Sequence, residues 1–154
     1  RKIKAEQRPI NEQKNILISP SDGKVTAYPI TQKGRFWIKH TQYSAAQLLK
    51  DERLAERYMG GWIYVIRLTV DDYHRYCYVA DGRKSRQRKI RGVLHTVNPV
   101  KRGDEKGMFE FGGSTIVVMT EPGMAEPDKD IIHNTKAQAE TLVKMGEPIG
   151  CKYE

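Results

Sequence analysis

Strand-forming segments outnumber helical segments in this chain, and the two kinds do not alternate regularly. The strongest strand pattern runs from Trp62 to Val70 and consists of β-branched and aromatic residues. Because a doubly wound sheet needs a helix between successive strands, this order predicts an α+β fold, a mainly antiparallel sandwich-like or barrel-like domain with a few short helices. Trp37 and Trp62 lie on strand patterns, so we expect them in the core. The other strand patterns cover residues 15–19, 24–30, 35–39, 92–97 and 108–119.

Two helices are indicated by capping-box patterns. Ser44-Ala-Ala-Gln47 has the spacing in which each end residue bonds the backbone of the other, and a helical apolar stripe continues from it to Met59. Thr135-Lys-Ala-Gln138 repeats the spacing and predicts a second, short helix that ends near Met145.

The length of 154 residues indicates one compact domain, residues 1–154. Two cysteines, Cys77 and Cys151, are too few for a disulfide scaffold or a four-ligand zinc site and indicate free thiols. No apolar run reaches the ~18 residues that a membrane-spanning helix needs. The net charge of +8 favours an anionic partner. Residues 1–15 are polar and basic, and we expect a loose arm there.

Three polar residues stand at the ends of predicted strands: Asp22, His74 and Ser114. A carboxylate, an imidazole and a hydroxyl can activate a weak nucleophile, because the imidazole takes the hydroxyl proton and the carboxylate orients the imidazole. Each residue also has an ordinary structural explanation. Asp22 suits a turn before a glycine, His74 suits a strand end, and Ser114 suits a bend.

Two glycines interrupt the strand pattern of residues 108–119 immediately before Ser114. Glycine inside a strand costs stability and often marks a close backbone approach or a strained peptide. The Ser114 hydroxyl directly follows the Gly113 carbonyl and is well placed to attack it. This setting favours a chemical role for Ser114 over a purely structural one.

Four segments stand in a distinctive order along the chain. They are Ser19-Pro-Ser-Asp-Gly-Lys24, Phe36-Trp-Ile-Lys39 with the Tyr43-Ser and Leu48-Leu49 that follow it, Arg67-Leu-Thr-Val-Asp-Asp-Tyr-His-Arg75, and Phe109-Glu-Phe-Gly-Gly-Ser-Thr115. Phosphatidylserine decarboxylases carry such segments in this order, and the chain resembles that family over most of its length.

The resemblance implies a zymogen that cuts its own backbone at Gly113–Ser114, with Asp22 as the carboxylate, His74 as the base and Ser114 as the attacking hydroxyl. An ester forms and is eliminated, and the residue left at position 114 hydrolyses to a pyruvoyl cofactor. No metal is expected. The products are a larger β chain, residues 1–113, and a smaller α chain, residues 114–154, which remain partners.

The resemblance also implies the reaction. A pyruvoyl ketone condenses with the amine of phosphatidylserine and withdraws electrons, so that the carboxylate leaves as carbon dioxide and phosphatidylethanolamine remains. His74 is the candidate that protonates the carbon afterwards, because an imidazole serves as acid or base near neutral pH. The expected activity is a carboxy-lyase reaction of phospholipid biosynthesis.

The sequence departs from the family pattern in two places. Many family members have a second histidine three residues after the position of His74, where this chain has Cys77. Either His74 performs both proton transfers, or His95 is a second acid or base, which we rank below His74. Cys77 is expected to be a small apolar filler. Family members also have several strands between Val100 and Lys101, and we expect that a segment is missing there.

A basic run at residues 83–91 contains six Lys or Arg residues. A solvated hairpin loop is the simplest interpretation, and a non-catalytic basic module that binds an anionic membrane or nucleic acid is the alternative to an enzyme. The run has no aromatic residue for stacking on bases, so we expect no nucleic acid. An anionic membrane fits better, since each basic residue near it contributes about 1 kcal/mol. We therefore expect a peripheral location on the cytoplasmic side of the cell membrane, and the resemblance allows a homodimer.

Overall fold

The computed structural model describes residues 5–83, 87–89, 92–94, 99–109 and 115–152. A 3-10 turn, Ala5–Gln7, precedes the first strand. The helices are α1 (Ala45–Leu49), α2 (Glu52–Glu56) and α3 (Lys129–Lys136). The strands are β1 (Ile16–Ile18), β2 (Gly23–Pro29), β3 (Phe36–Ile38), β4 (Thr41–Tyr43), β5 (Trp62–Arg67), β6 (Arg75–Cys77), β7 (Gly82–Arg83), β8 (Gln87–Lys89), β9 (Gly92–Leu94), β10 (Pro99–Val100), β11 (Glu105–Met108), β12 (Thr115–Thr120), β13 (Glu126–Pro127), β14 (Thr141–Val143) and β15 (Pro148–Cys151).

The central sheet has the strand order β12-β5-β2-β14, and each neighbouring pair is antiparallel. The inner strand β5 pairs with β12 and β2 along its whole length. Its side chains alternate between the faces of the sheet, with Tyr64 and Ile66 on one face and Ile63 and Val65 on the other. All four are buried, which explains why the strand reads as a continuous apolar run.

Each face of the central sheet is covered by different elements. The Tyr64 face packs against Leu17 and Ile149 of a second sheet, ordered β1-β15-β13. The opposite face packs against Ala45 of α1 and Ala55 of α2, and against the hairpin β3–β4. This arrangement confirms the predicted mainly antiparallel α+β fold with short helices, although the described residues form no closed barrel.

The first predicted helix begins where expected but is divided in two. Gln47 N donates to Ser44 Oγ at 3.2 Å and Ser44 N donates to Gln47 Oε1 at 2.9 Å, which confirms the capping box. Lys50 then adopts a left-handed conformation with φ of 52° and ends α1. Asp51 caps a new helix by accepting a bond from Leu54 N, so α2 starts in a new direction.

The second predicted helix is wrong in its position. Thr135 lies near the end of α3 instead of at a helix start, and its Oγ1 accepts a bond from Ala27 N at 3.0 Å. Asp128 is the N-cap residue of α3, and Gln138 follows the helix with a positive φ of 58°. The threonine hydroxyl is thus bonded to the edge of β2, and the chain continues into β14 without a helix toward Met145.

The two tryptophans have different environments. Trp62 is partly buried and packs against the core cluster on the Tyr64 face of the central sheet. Trp37 is 53% exposed, so its predicted place in the core is wrong. The alternation of β3 turns Phe36 inward and leaves Trp37 on the outer face.

Candidate functional site

The loop of residues 19–22 joins β1 to β2 and is buried. Ser21 is fully buried and Asp22 is 7% exposed. Gly23 has a φ of 149°, and a Cβ there would lie 2.7 Å from the carbonyl oxygen of Arg67. Only glycine therefore allows the loop to approach β5 this closely, and the approach fixes Asp22 at the start of β2.

Arg8 and Met145 hold the Asp22 carboxylate. Arg8 Nε donates to Oδ1 at 2.8 Å and Nη2 to Oδ2 at 2.5 Å, while Met145 N donates to Oδ1 at 2.9 Å. Burial raises the pKa of Asp22, but these bonds lower it by more, so the pKa lies below its usual value. Asp22 is therefore ionised at neutral pH.

The described part of the N-terminal arm, residues 5–15, is anchored instead of loose. Arg8 binds Asp22, and Asn11 N donates to the carbonyl oxygen of Gly146 at 3.2 Å. Arg102 Nη1 donates to the carbonyl oxygen of Ile16 at 2.5 Å, directly after the arm. Arg8 and Asn11 thus form specific bonds to the folded part of the chain, while residues 1–4 lie outside the described residues.

His74 ends the loop of residues 68–74 between β5 and β6. Thr69 N and Oγ1 donate to Asp72 Oδ2 at 2.6 and 2.9 Å and shape this loop. The His74 carbonyl oxygen accepts a bond from Phe109 N at 3.0 Å. Its Nε2 atom is buried and has no hydrogen-bond partner among the described residues. The structure thus leaves His74 Nε2 unbonded to Asp22, the carboxylate predicted to orient it.

Gly113 and Ser114 fall in residues 110–114, outside the part of the chain that the structure describes. The next residue, Thr115, begins β12 and pairs with Arg67 of β5, which pairs in turn with Lys24 of β2. Thr115 Oγ1 is buried and has no partner among the described residues. Thr115, the residue after Ser114, therefore lies in register with Arg67 and Lys24 across the central sheet, next to the start of β2.

Backbone hydrogen bonds bring the three predicted segments together. Cys77 N donates to the carbonyl oxygen of Pro20 at 2.8 Å and joins β6 to the Asp22 loop, and Phe109 N joins the third segment to His74. An unsatisfied buried polar atom costs about 1–3 kcal/mol, so such atoms mark candidate reaction or ligand sites. Within the described ranges these atoms are Ser21 Oγ, His74 Nε2 and Thr115 Oγ1, one in each segment.

The structure describes Cys77, the expected apolar filler, but not His95, the possible second acid or base. The Cys77 thiol is buried, and its Sγ lies 4.0 Å from the carbonyl oxygen of Ser19. Burial raises the pKa of Cys77 to about 11, so the thiol stays protonated at neutral pH and fits a small buried filler. His95 lies outside the described residues, as does much of the basic run 83–91, and their roles stay predictions.

A groove of about 1030 Å³ reaches the row of the sheet that contains Thr115. Arg67 Nε and Nη2 donate to the Glu140 carboxylate in it at 2.8 and 2.6 Å, and these bonds lower the pKa of Glu140. This space was not predicted from the sequence. Trp37, Lys39, Arg67 and Thr115 lie in segments that carry the family resemblance, but only the folded chain brings those segments together around one groove. We name it the hairpin groove, and its lining includes Trp37, Lys39, Val65, Arg67, Thr115 and Glu140.

The described residues contain no group of three or more His, Cys, Asp or Glu side chains that could hold a metal ion. No helix in the same part of the chain has the length and apolar character needed to cross a bilayer.

The chain is similar to a known protein family. A sequence model described as phosphatidylserine decarboxylase matches residues 1–101 and 98–151. Phosphatidylserine decarboxylase proenzyme 2 of Clostridium acetobutylicum is 36% identical over 197 aligned residues, which cover 97% of this chain and 68% of that protein. The proenzyme of Clostridium botulinum strain Kyoto is 32% identical over 99% of this chain and 69% of its own length. No solved structure gives a significant match.

The aligned lengths show how much of each relative this chain covers. Proenzyme 3 of Schizosaccharomyces pombe is 32% identical over the whole chain, which corresponds to 21% of that larger protein. The alignment with the Clostridium acetobutylicum protein is longer than the 154 residues here, so that relative has residues without a counterpart in this chain. The expected missing segment between Val100 and Lys101 stays a prediction.

Proposed function

Because this chain belongs to the phosphatidylserine decarboxylase family of carboxy-lyases, we propose that it converts phosphatidylserine to phosphatidylethanolamine with a pyruvoyl group made from its own Ser114. One observation carries this proposal: the segments of Asp22, His74 and Ser114 meet, and each contains a buried polar atom without a partner among the described residues. The relatives are named proenzymes, which supports maturation by cleavage.

Maturation starts when the Ser114 hydroxyl attacks the Gly113 carbonyl carbon. His74 is the candidate base for the hydroxyl proton, and the Gly113 acyl group moves from nitrogen to oxygen to give an ester. Elimination then removes the Cα proton of residue 114 and breaks its Cβ–Oγ bond, which leaves a carboxylate on Gly113 and dehydroalanine at position 114. Water converts the dehydroalanine to the pyruvoyl group and releases ammonia, so the atoms balance.

Two buried polar atoms support a carbonyl-bearing group at position 114. Thr115 Oγ1 belongs to the next residue in the chain, and His74 Nε2 belongs to a residue whose backbone is bonded to Phe109 of the same segment. Neither atom has a protein partner in the described ranges, so each has hydrogen-bonding capacity for a ligand. When formed, the pyruvoyl ketone supplies a sink for the electrons of the carbon–carboxylate bond. His74 Nε2 then returns a proton to the substrate carbon. Asp22 remains ionised throughout, because Arg8 and Met145 stabilise its charge.

A denaturing mass measurement of the purified chain tests the proposal. The expected result is two fragments, residues 1–113 and 114–154, with the smaller lacking its α-amine and reacting with hydroxylamine. Such material should release carbon dioxide from phosphatidylserine vesicles. An intact chain without that activity would contradict the proposal and favour a non-catalytic basic module.

Variants of the three residues test their roles separately. Ser114→Ala should abolish cleavage, and His74→Ala and Asp22→Asn should slow it severely. His133→Ala and Asp130→Asn are matched controls, because both residues are exposed and lie in α3, outside the three segments that meet. Cleavage of the Asp22 variant at the rate of the unsubstituted chain would remove Asp22 from the mechanism.

The reaction also requires access to a lipid substrate. The net charge of +8 supports the proposal that the protein acts at an anionic membrane surface, peripheral to the cytoplasmic side of the cell membrane. Sedimentation with vesicles at increasing salt measures this attraction. Binding that does not weaken as salt rises would contradict an electrostatic contact.

A further inference from the structure

The hairpin groove has no part in the proposed cleavage, yet it is lined by the residue that follows Ser114. Its volume of about 1030 Å³ is close to the upper end of the roughly 300–1,000 Å³ typical of small-molecule sites. A substrate that reacts at position 114 and extends along the central sheet would lie in this space. The groove is therefore the candidate for recognition of the substrate beyond its reacting atoms.

The groove has charged side chains on two of its walls. Beside Thr115, Arg67 and Glu140 form an ion pair, so charges of both signs are present and balance. On the hairpin, Arg35 stands directly before β3 and lines the groove. Its guanidinium donates to the carbonyl oxygen of the preceding residue at 3.1 Å and forms no ion pair with a described acidic side chain. The hairpin wall thus presents a cation to an anionic ligand.

The turn of the hairpin holds side chains in a backbone conformation that favours glycine. Lys39 and His40 connect β3 to β4 with φ values of 46° and 65°, where two-residue hairpin turns prefer Asn and Gly. A left-handed residue with a side chain costs about 1–2 kcal/mol. Both residues line the groove, so the strain occurs where their side chains can meet a ligand.

Trp37 adds an apolar group beside these cations. It is 53% exposed and lines the groove, while its neighbour Phe36 is buried in the core. The indole ring combines a large apolar surface with one polar N–H, which suits the headgroup level of a lipid bilayer. An exposed tryptophan next to basic residues is therefore suited to contact an anionic membrane surface.

We propose that the hairpin groove binds the phosphoserine headgroup of a lipid that remains in its bilayer. Arg35 binds the phosphodiester, and Trp37 lies at the level of the headgroups. The Arg67–Glu140 pair faces the serine, which carries charges of both signs and must be next to position 114. The assignment of the serine end rests on the proposed decarboxylation, whereas the phosphate contacts follow from the charge of the hairpin.

Binding is measured on the full chain carrying Ser114→Ala, which keeps every molecule uncut. Phosphatidylcholine vesicles that contain phosphatidylserine are compared with vesicles that contain the same fraction of phosphatidylglycerol, a lipid of equal net charge and different headgroup. Trp37 emission reports the contact, because the chain has two tryptophans and Trp62 packs against the core. We expect a blue shift that Trp37→Phe removes, and tighter binding to phosphatidylserine.

Arg35→Gln is expected to weaken binding to phosphatidylserine vesicles about fivefold, the effect of one basic contact at an anionic surface. Lys33→Gln is the matched control, because Lys33 is exposed, carries the same charge and lies two residues away among residues that do not line the groove. The affinity of the Lys33→Gln variant for these vesicles should fall by less than about twofold, since a diffuse charge contributes less than a direct contact.

Equal losses in the two variants would assign the binding to general surface charge and overturn the proposal. Equal affinity for the two anionic lipids, or Trp37 emission that vesicles leave unchanged, would also overturn it. The mass of the unsubstituted chain is determined separately. An uncut chain that still binds phosphatidylserine selectively through Arg35 would refute the proposed cleavage and leave the groove assignment standing.

Discussion

The Arg8→Gln substitution tests how far the charge of Asp22 depends on Arg8. The side chains of Arg8 and Asp22 are 22% and 10% exposed, so the pair lies between a surface pair and a buried one. Exposed pairs contribute about 0–1 kcal/mol, and breaking a buried pair costs about 3–5 kcal/mol. The substitution leaves Asp22 with the bond from Met145, and we expect a loss of about 2 kcal/mol in the free energy of unfolding at neutral pH.

The loss should depend on pH in a defined direction. Burial raises the pKa of Asp22, and the bonds from Arg8 and Met145 outweigh it, so the folded pKa lies below the unfolded value of about 3.9. The stabilisation is therefore complete above the unfolded pKa and is lost as pH falls through the folded pKa. Without Arg8, the bond from Met145 offsets only part of the effect of burial, so the pKa of Asp22 rises. The deficit of the variant should thus be largest at neutral pH and shrink in acid.

Urea unfolding of the Ser114→Ala chain, with and without Arg8→Gln, measures this deficit over a range of pH. Arg57→Gln is the matched control, because Arg57 pairs with Glu121 at 2.6 Å and their side chains are 65% and 42% exposed. It should cost less than about 1 kcal/mol. An Arg8→Gln deficit that is as large in acid as at neutral pH would refute the view that Arg8 stabilises the charge of Asp22.

Three other substitutions or reactions test the packing. Gly61→Ala would place a Cβ 1.9 Å from a carbonyl oxygen of β12 and should cost about 2 kcal/mol or more in urea unfolding. Gly82→Ala, where a Cβ would meet no atom of the described residues within 4 Å, should have little effect. Ser44→Ala removes the cap of α1 and should cost about 1 kcal/mol, and an unchanged unfolding midpoint would contradict the capping box. Iodoacetamide should label Cys151 before the buried Cys77, as peptide mass mapping can show; equal rates would contradict the burial.

The parts of the fold that were predictable depend on local residue patterns. The β-branched and aromatic run that begins at Trp62 forms the inner strand β5, because such a strand is buried on both faces. The Ser44–Gln47 spacing marks a true helix start, since the capping bonds are local. Local patterns did not fix where a helix ends, because the left-handed Lys50 has no distinctive side chain.

The unpredicted parts depend on contacts between distant residues. Nothing in the sequence connects Arg8 with Asp22 or Arg67 with Glu140, because these pairs form through the packing of the arm and the sheet. Trp37 was expected in the core because it lies on a strand pattern, yet only one face of β3 is covered. The hairpin groove has the same origin, and only the folded chain brings its walls together.

Both of the larger sheets combine strands from before and after residue 114. The central sheet places β12 and β14 beside β5 and β2, and the second sheet places β15 beside β1. Under the proposed maturation, the two polypeptides would thus share both sheets as soon as the backbone is cleaved. Neither piece could leave without dismantling both sheets, so a mixture of two isotope-labelled preparations should never exchange halves under native conditions.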